Sequence, residues 1–139
     1  MQFHQGRLID HIGLRARDFE ATKRFYRAVL TAIGRADAIR ETGAYFSADE
    51  LWIDAADEAG TSRVHIAFQA PDRETVHRFY EAALEAGGKD NGAPGERHYH
   101  PGYYGAFVFD PDGNNIEAVY HGPADRSADA VIVTPRERD

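Results

Sequence analysis

The pattern of apolar and polar positions occurs twice along the chain. The segment HIGLRARDFEATKRFYRAVLTAIG at residues 11–34 aligns without a gap with HIAFQAPDRETVHRFYEAALEAGG at residues 65–88, at an offset of 54 residues. About half of the aligned positions are identical. Because a solenoid needs at least three repeats, two copies with so long a period indicate a duplicated module.

Each copy predicts a strand followed by a helix. The strands are DHIGLRA and VHIAFQA, whose residues alternate between apolar and polar. Asp18 and Asp72 follow them and are predicted N-caps, because a carboxylate accepts from the free amides of a first helical turn. Gly34 and the Gly87–Gly88 pair are the predicted helix stops. Apolar stripes at helical spacing support both helices: Phe25, Val29 and Ile33 in the first copy, and Val76, Phe79 and Ala83 in the second.

Further strands are predicted after each helix. In the first half they are 36–40, 44–48 and 51–55. In the second half YYGAFVF and NNIEAVY are joined by the turn DPDG, and a weaker strand is predicted between Gly88 and Gly95. Each half is therefore βαβββ, and the fold class is α+β.

One domain is predicted over 1–122, with the first module at about 8–57 and the second at about 62–121. The C-terminal tail, 123–139, is polar apart from AVIVT. We expect the tail to be either a loose end or a strand that docks late.

Composition narrows the function classes. The chain has 139 residues, of which 42% are hydrophobic and 28% charged, as in a globular domain. A net charge of −7 without a Lys/Arg run argues against nucleic-acid and membrane partners. There is no Cys, so any metal site must use His and carboxylates. The N-terminus lacks the apolar core of a signal peptide, so a cytoplasmic location is the default expectation.

Three candidate metal ligands fall on the strand faces that point away from the helices. Alternation puts His11, His65 and Glu117 on these faces. A lone His on a strand is usually structural and a lone Glu is usually exposed. Here the two histidines occupy equivalent positions of the repeat, and two imidazoles with a carboxylate are a common ligand set for a divalent transition metal. Both interpretations remain open from the residues alone.

The segments DHIGLRARDFEATKRFY, VHIAF and above all FVFDPDGNNIEAVYH resemble the vicinal oxygen chelate superfamily. This group contains glyoxalase I, bleomycin-resistance proteins and extradiol dioxygenases. The resemblance covers roughly 8–121 and is greatest to the bacterial glyoxalase-like branch. It implies two modules forming a cupped, barrel-like mixed sheet with helices outside, and a divalent metal ion (Fe, Mn, Ni or Zn) between the modules. It also implies a homodimer, but leaves open whether the modules pair within a chain or between chains.

The resemblance also implies a metal site that departs from glyoxalase I. His11, His65 and Glu117 match three of the four ligand positions. The fourth position falls at Trp52, which cannot ligate a metal; Glu50 and Asp54 lie on the same strand face but would need a shift. True glyoxalase I activity is therefore not expected. Two histidines and one carboxylate are closer to what the dioxygenases and fosfomycin-modifying enzymes of the family use.

Other candidates line the expected pocket. In ERHYHPGYYGAF, His100 is a candidate acid or base and Tyr103 could hold an oxyanion. The alternative is a loop whose rings pack on the sheet. Trp52 and Tyr104 are candidate pocket residues, with Trp52 as an apolar wall. Arg15 could meet an anionic group of a substrate or pair with an acidic residue.

Two functions follow from these residues and the resemblance. The first is a metal-dependent enzyme, a glyoxalase-like lyase or isomerase or a dioxygenase, whose small substrate chelates the metal through vicinal oxygens. The alternative is a non-catalytic small-molecule-binding protein of the bleomycin-resistance type. A third hypothesis is a scaffold in which the three metal-ligand residues only stabilise the fold. The presence of all three ligand residues favours the enzyme.

Overall fold

The computed structural model describes residues 3–5 and 9–137 and contains two βαβββ modules. A short strand, β1 (Phe3–Gln5), precedes them and another, β10 (Val131–Val133), follows them. The first module consists of β2 (Ile12–Ala16), α1 (Phe19–Ala32), a 3₁₀ turn (Ala36–Ala38), β3 (Ile39–Glu41), β4 (Phe46–Ala48) and β5 (Leu51–Ala55). The second consists of β6 (His65–Gln69), α2 (Arg73–Glu85), β7 (Lys89–Glu96), β8 (Tyr104–Phe109) and β9 (Asn115–Tyr120). The predicted α+β class and the repeated βαβββ order are confirmed.

Each module forms one four-stranded mixed sheet, in the orders β2-β5-β4-β3 and β6-β9-β8-β7. The first strand pairs in parallel with the last, and the other neighbours are antiparallel. Neither sheet closes into a barrel among the described residues. The register places Gly13 beside Trp52 and Ala67 beside Glu117. Since Gly13 and Ala67 are equivalent in the repeat, Trp52 and Glu117 occupy equivalent positions, as the alignment predicted.

The helix ends follow the predicted capping residues. A side-chain oxygen of Asp18 accepts from the Ala21 amide at 3.0 Å, and that of Asp72 accepts from the Thr75 amide at 2.7 Å. These bonds satisfy amides that have no partner inside the helix. With 14 and 13 residues, neither described helix is long and apolar enough to cross a membrane.

The two glycines after α2 have different tasks. Gly87, like Gly34 after α1, has a positive φ (96° and 85°), which is the left-handed conformation that ends many helices. Gly88 instead allows a close approach, because a Cβ there would stand 2.7 Å from Cε2 of Phe25. Phe25 belongs to α1, so Gly88 lets the first helix seat against the second module.

The modules share one hydrophobic core around the two helices. The helices contact each other, and α2 also contacts β7, β8 and β9. A buried hydrogen bond, 2.6 Å from the hydroxyl of Tyr26 to Oδ2 of Asp110, joins α1 to the turn between β8 and β9. The largest fully buried apolar side chains are those of Tyr26, Phe25, Phe46, Phe79, Ile53 and Ile116. Each sheet packs one face on the helices. We call the other face of each sheet, which points away from the helices, its outer face.

One segment differs from the sequence prediction, and in the tail one of the two expected alternatives is found. The strand predicted at 36–40 begins with the 3₁₀ turn, because small Ala and polar Asp side chains give little to pack on a sheet. The strand there is Ile39–Glu41. The tail is not a loose end: β10 pairs antiparallel with β1, and Arg126 donates to Gln69 at the end of β6.

Candidate functional site

Glu117 is a buried carboxylate on the outer face of the second sheet. Its side chain is 1% exposed, whereas Ile116 and Ala118 beside it point into the core. One oxygen, Oε1, lies 2.9 Å from Nε2 of His65, and the other accepts a hydrogen bond from the hydroxyl of Tyr103. We call Glu117, His65 and Tyr103 the Glu117 cluster. Since an unpaired buried carboxylate is costly, these two partners are what allows Glu117 to be held here.

Gly105 makes room for the cluster. A Cβ at this position would stand 3.1 Å from Oε2 of Glu117 and 3.3 Å from Cε1 of Tyr103. Any side chain in its place would push against the carboxylate or the ring. Sequence reasoning missed Gly105, although an isolated glycine inside an apolar strand is itself a signal of a close approach.

Tyr103 is held in its protonated form. Burial raises the pKa of Tyr103 well above its ordinary value, and the hydrogen bond to Glu117 raises this pKa further. The phenol therefore acts as a donor that orients the carboxylate. To stabilise an oxyanion, as the sequence suggested, the Tyr103 hydroxyl would have to donate its hydrogen bond to the substrate instead of to Glu117.

His100 lies beside Tyr103, with its ring 5.4 Å away in an edge-on arrangement. Both of its ring nitrogens are engaged: Nδ1 is 2.8 Å from the carbonyl oxygen of Pro101, and Nε2 is 2.8 Å from Nδ1 of His121. A carbonyl can only accept, so Nδ1 of His100 donates, and in the neutral ring Nε2 accepts from His121. His121, which sequence reasoning left outside the site, thus belongs to its surroundings.

His11 stands apart from the Glu117 cluster. It precedes β2, its side chain is 69% exposed, and its Nδ1 lies 2.7 Å from Asp10. Within 3–5 and 9–137, no three His, Cys, Asp or Glu side chains are close enough to hold a metal ion. One chain brings together His65 and Glu117 but does not add His11 to them, so the three-residue ligand set stays a prediction.

The donor atoms of His65 and Glu117 fit two adjacent positions around a divalent ion. Ligand atoms at right angles, each about 2.1 Å from an ion, are about 3.0 Å apart. The 2.9 Å separation of Nε2 and Oε1, which here is that of a hydrogen bond, is compatible with this spacing. An imidazole nitrogen with a carboxylate oxygen also suits Fe, Mn, Ni or Zn. Tyr103 would then be the outer partner that fixes the carboxylate.

The outer face of the first sheet forms a concavity of about 660 Å³, which we call the first-module concavity. Trp52 lies in it, 40% exposed, with its ring stacked on that of Tyr45. Their centroids are 4.4 Å apart and their planes 14° apart. Nε1 of Trp52 donates to Oδ2 of Asp54 at 3.3 Å. The lining residues are His11, Gly13, Arg15, Ser47, Asp49, Leu51, Trp52 and Asp54.

Arg15 lies in the same lining but is already paired. Its guanidinium is 3.1 Å from Asp54 and 3.1 Å from Asp57. Of the two interpretations of Arg15, pairing with acidic residues is therefore the one found in this structure.

Tyr104 does not line either outer face, which corrects its assignment as a pocket residue. It shares the core face of β8 with Ala106 and Val108. Its hydroxyl is 2.7 Å from Nε2 of His77, and the guanidinium of Arg73 lies 4.5 Å from its ring centroid. The reason is strand alternation: Tyr103 and Tyr104 are adjacent, so only one of them can face Glu117.

Comparisons with known proteins agree with this architecture. The sequence profile of the Glyoxalase/Bleomycin resistance protein/Dioxygenase superfamily matches residues 8–118. A comparison with curated proteins found no match.

Solved structures share the fold. A glyoxalase/bleomycin resistance protein from Albidiferax ferrireducens is 24% identical over 81% of this chain and 98% of its own, with a TM-score of 0.69. A glyoxalase-related enzyme from Fulvimarina pelagi is 19% identical over 94% and 99%, with a TM-score of 0.66. A fosfomycin resistance protein from Mesorhizobium loti is 23% identical over 80% and 89%, with a TM-score of 0.57. The profile covers most of the chain, and the chain therefore belongs to the Glyoxalase/Bleomycin resistance protein/Dioxygenase superfamily, the vicinal oxygen chelate group.

Proposed function

We propose that this protein is a divalent-metal-dependent enzyme whose small substrate binds through two adjacent oxygen atoms. The observation that carries the proposal is the Glu117 cluster. A carboxylate that is only 1% exposed is fixed on an outer face, beside an imidazole whose side chain is 52% exposed. The imidazole satisfies the buried carboxylate, and because it is itself half exposed it leaves the pair open to an ion from solution.

His65 and Glu117 would hold the ion, with His11 as the third ligand. Since one chain does not bring His11 to the pair, we propose that it comes from a second protomer of a homodimer. The ion would supply Lewis-acid chemistry, polarising the substrate oxygens, or dioxygen chemistry if it is Fe(II). Tyr103 would keep the carboxylate oriented, and His100 with His121 would be the nearest groups able to give or take a proton.

The reaction we propose is a glyoxalase-like lyase or isomerase reaction or a dioxygenation, not that of glyoxalase I itself. Trp52 stands where a fourth ligand would be, at the position equivalent to Glu117. The open coordination positions would then be left to the substrate and water. The fosfomycin resistance protein among the structural neighbours supports a small molecule as the substrate.

Metal content tests the proposal. Wild-type protein, purified without a His tag, would be incubated separately with Fe(II), Mn(II), Ni(II) and Zn(II), desalted, and analysed for bound metal. We expect near-stoichiometric binding of at least one ion. In His65→Ala the occupancy should fall to about a tenth or less, because a ligand is lost.

The matched control is His98→Ala. His98 is exposed, and its ring contacts that of Tyr99 rather than the Glu117 cluster. Occupancy in this variant should equal that of the wild type, and circular dichroism would verify that both variants fold. Wild-type protein that stays metal-free with all four ions would refute the enzyme proposal.

A second candidate function is favoured by the first-module concavity. An exposed indole in an open concavity, stacked on a second ring, is also what a non-catalytic small-molecule-binding protein would use. Metal content separates the two candidates, because a binding protein of this kind would take up a small molecule without any ion.

A further inference from the structure

We infer that Tyr45 and Trp52 form a stacking platform for a planar aromatic ring of the ligand, and that this ring is neutral or positively charged. We call the two residues the Tyr45–Trp52 platform. The inference rests on the proposed function only in taking the first-module concavity as part of the ligand site.

The two rings of the platform are held in place by the protein itself. The near-parallel stack of the two rings covers one face of the Trp52 indole with Tyr45, and the residue keeps 40% of its surface exposed. The bond from Nε1 to Asp54 fixes the rotation of the indole. A side chain held in one orientation loses little freedom on binding, so more of the stacking energy appears as affinity.

The neighbouring strand leaves space for a ring. Gly13 is the residue paired beside Trp52, and a Cβ built on it meets no atom within 4 Å. Nothing therefore projects from this position of β2 towards the indole. The concavity of about 660 Å³ lies within the range of small-molecule sites. A flat group could lie against Trp52 without displacing a side chain.

The charges around the platform select against an anion. Arg15 is shared by two carboxylates, Asp54 and Asp57, so its charge is more than matched. Asp49, also in the lining, pairs with Arg35. The indole adds a negative ring face that attracts cations. An anionic ring would thus meet no unpaired cation in this lining, whereas a neutral or cationic ring meets stacking surface and excess carboxylate.

A set of four bicyclic probes tests ring character and charge separately. N-methylquinolinium is planar and cationic, and quinoline is planar and neutral at pH 7.5. Naphthalene-2-sulfonate is planar and anionic, and N,N-dimethyldecahydroquinolinium is cationic but saturated. The chain has a single Trp, so its indole N–H gives one signal in a nitrogen–proton correlation spectrum. Titrations use metal-free protein.

The expected order follows from stacking and charge. N-methylquinolinium and quinoline should shift the Trp52 signal saturably. The saturated cation and the anionic sulfonate should bind at least about tenfold more weakly. Equal binding of the saturated cation would overturn the stacking role, and tighter binding of the sulfonate would overturn the charge preference.

Variants locate the binding by calorimetry with N-methylquinolinium. Trp52→Leu should abolish measurable binding, and Tyr45→Ala should weaken it about tenfold, while Tyr45→Phe keeps the stack and should bind like the wild type. The control is Leu84→Ala on α2, since Leu84 is 39% exposed and Trp52 is 40% exposed. If Tyr45→Ala binds normally, or Leu84→Ala loses binding, the platform is refuted.

Failure of this inference is distinguishable from failure of the proposed function. Metal uptake without ring binding would refute the platform and leave the metalloenzyme standing. Ring binding by a protein that takes up no metal would support the platform and refute the metalloenzyme.

Discussion

At the scale of single residues, each neighbour of Glu117 has a separate task. His65 presents an exposed imidazole, Tyr103 donates to the second oxygen, and Gly105 leaves the space in which both can approach. The raised pKa of Tyr103 keeps this donor protonated. The orientation of Glu117 therefore depends on a residue that need not touch an ion.

Tyr103→Phe should weaken metal binding without unfolding the protein. The phenyl ring keeps the packing but removes the proton donated to Glu117, and loss of such an outer partner costs about tenfold or more in affinity. Competition with a chelator measures the dissociation constant. Tyr99→Phe is the control, because Tyr99 is 61% exposed and meets Tyr103 only through a T-shaped contact of the two rings. An unchanged dissociation constant in Tyr103→Phe would show that Tyr103 does not position the carboxylate.

Sequence reasoning was successful at this scale where a residue's role follows from strand alternation or from the repeat. Alternation put His65 and Glu117 on one face, and the repeat put Trp52 at the position equivalent to that of Glu117. The tyrosines were harder, because Tyr103 and Tyr104 differ by one position and only the strand register decides which of them faces the carboxylate. The pairing of His100 with His121 depends on a loop and has no periodic signal.

At the scale of elements, the turn between β8 and β9 connects α1 to the second module. Oδ2 of Asp110 accepts from the Tyr26 hydroxyl at 2.6 Å and from Nδ2 of Asn114 at 2.8 Å. The amides of Asp112 and Asn114 donate to its other oxygen. The DPDG motif thus does more than reverse the chain, since its first residue is the acceptor for a buried hydroxyl of the first helix.

Tyr26→Phe should destabilise the fold by about 1–3 kcal/mol near neutral pH, because a buried acceptor loses its donor. Burial raises the pKa of Tyr26, and the charge of Asp110 adds to this rise. The unfolded phenol ionises near pH 10, so its contribution to stability is complete below that pH and declines as the pH rises further. Urea unfolding of wild type and variant at pH 8 and above pH 10 should show a shrinking difference. A difference that stays constant would contradict this account.

The elements themselves were largely predictable, because both halves carry the same pattern and the same Asp caps. The exceptions are local. The 3₁₀ turn at Ala36–Ala38 replaced the start of a predicted strand. The predicted stop at Gly87–Gly88 is confirmed, since α2 ends at Glu85 and Gly87 has the left-handed conformation. The gapless alignment paired Gly34 with Gly88. Because α1 is one residue longer than α2, the glycine that corresponds to Gly34 in conformation is Gly87. The task of Gly88 depends on Phe25, a contact between modules that no local pattern contains.

At the scale of the whole molecule, the helices unite the modules while the outer faces remain separate. The Glu117 cluster lies on one outer face and the Tyr45–Trp52 platform on the other. In the described residues neither face supplies a complete ligand set for an ion. The sequence could not decide how the modules pair, because alternation assigns residues to faces but does not say which faces meet. We propose that the first module of one protomer meets the second module of another.

Mixing two variants that each lack one of the histidines tests this pairing. His11→Ala and His65→Ala would each be metal-poor alone, whereas a mixed dimer has one site in which both histidines are intact. Random exchange of equal amounts gives half mixed dimers, so about a quarter of all sites should recover metal. The mixture would be unfolded and refolded, and its bound metal measured. Each variant refolded alone is the control. No recovery from a mixture shown to contain dimers would mean that the histidines come from the same chain.

The equivalence of Trp52 and Glu117 has a consequence for selectivity. A cavity enclosed by two identical walls would accept a ligand in either of two orientations related by the pseudo-twofold axis, and would yield both positional products of an unsymmetrical substrate. In the cavity that we propose between protomers, one wall would carry the indole of Trp52 where the other would carry the carboxylate of Glu117. Such a cavity would bind an unsymmetrical substrate in one orientation only. A difference at one pair of equivalent positions would then be enough to make the reaction regioselective.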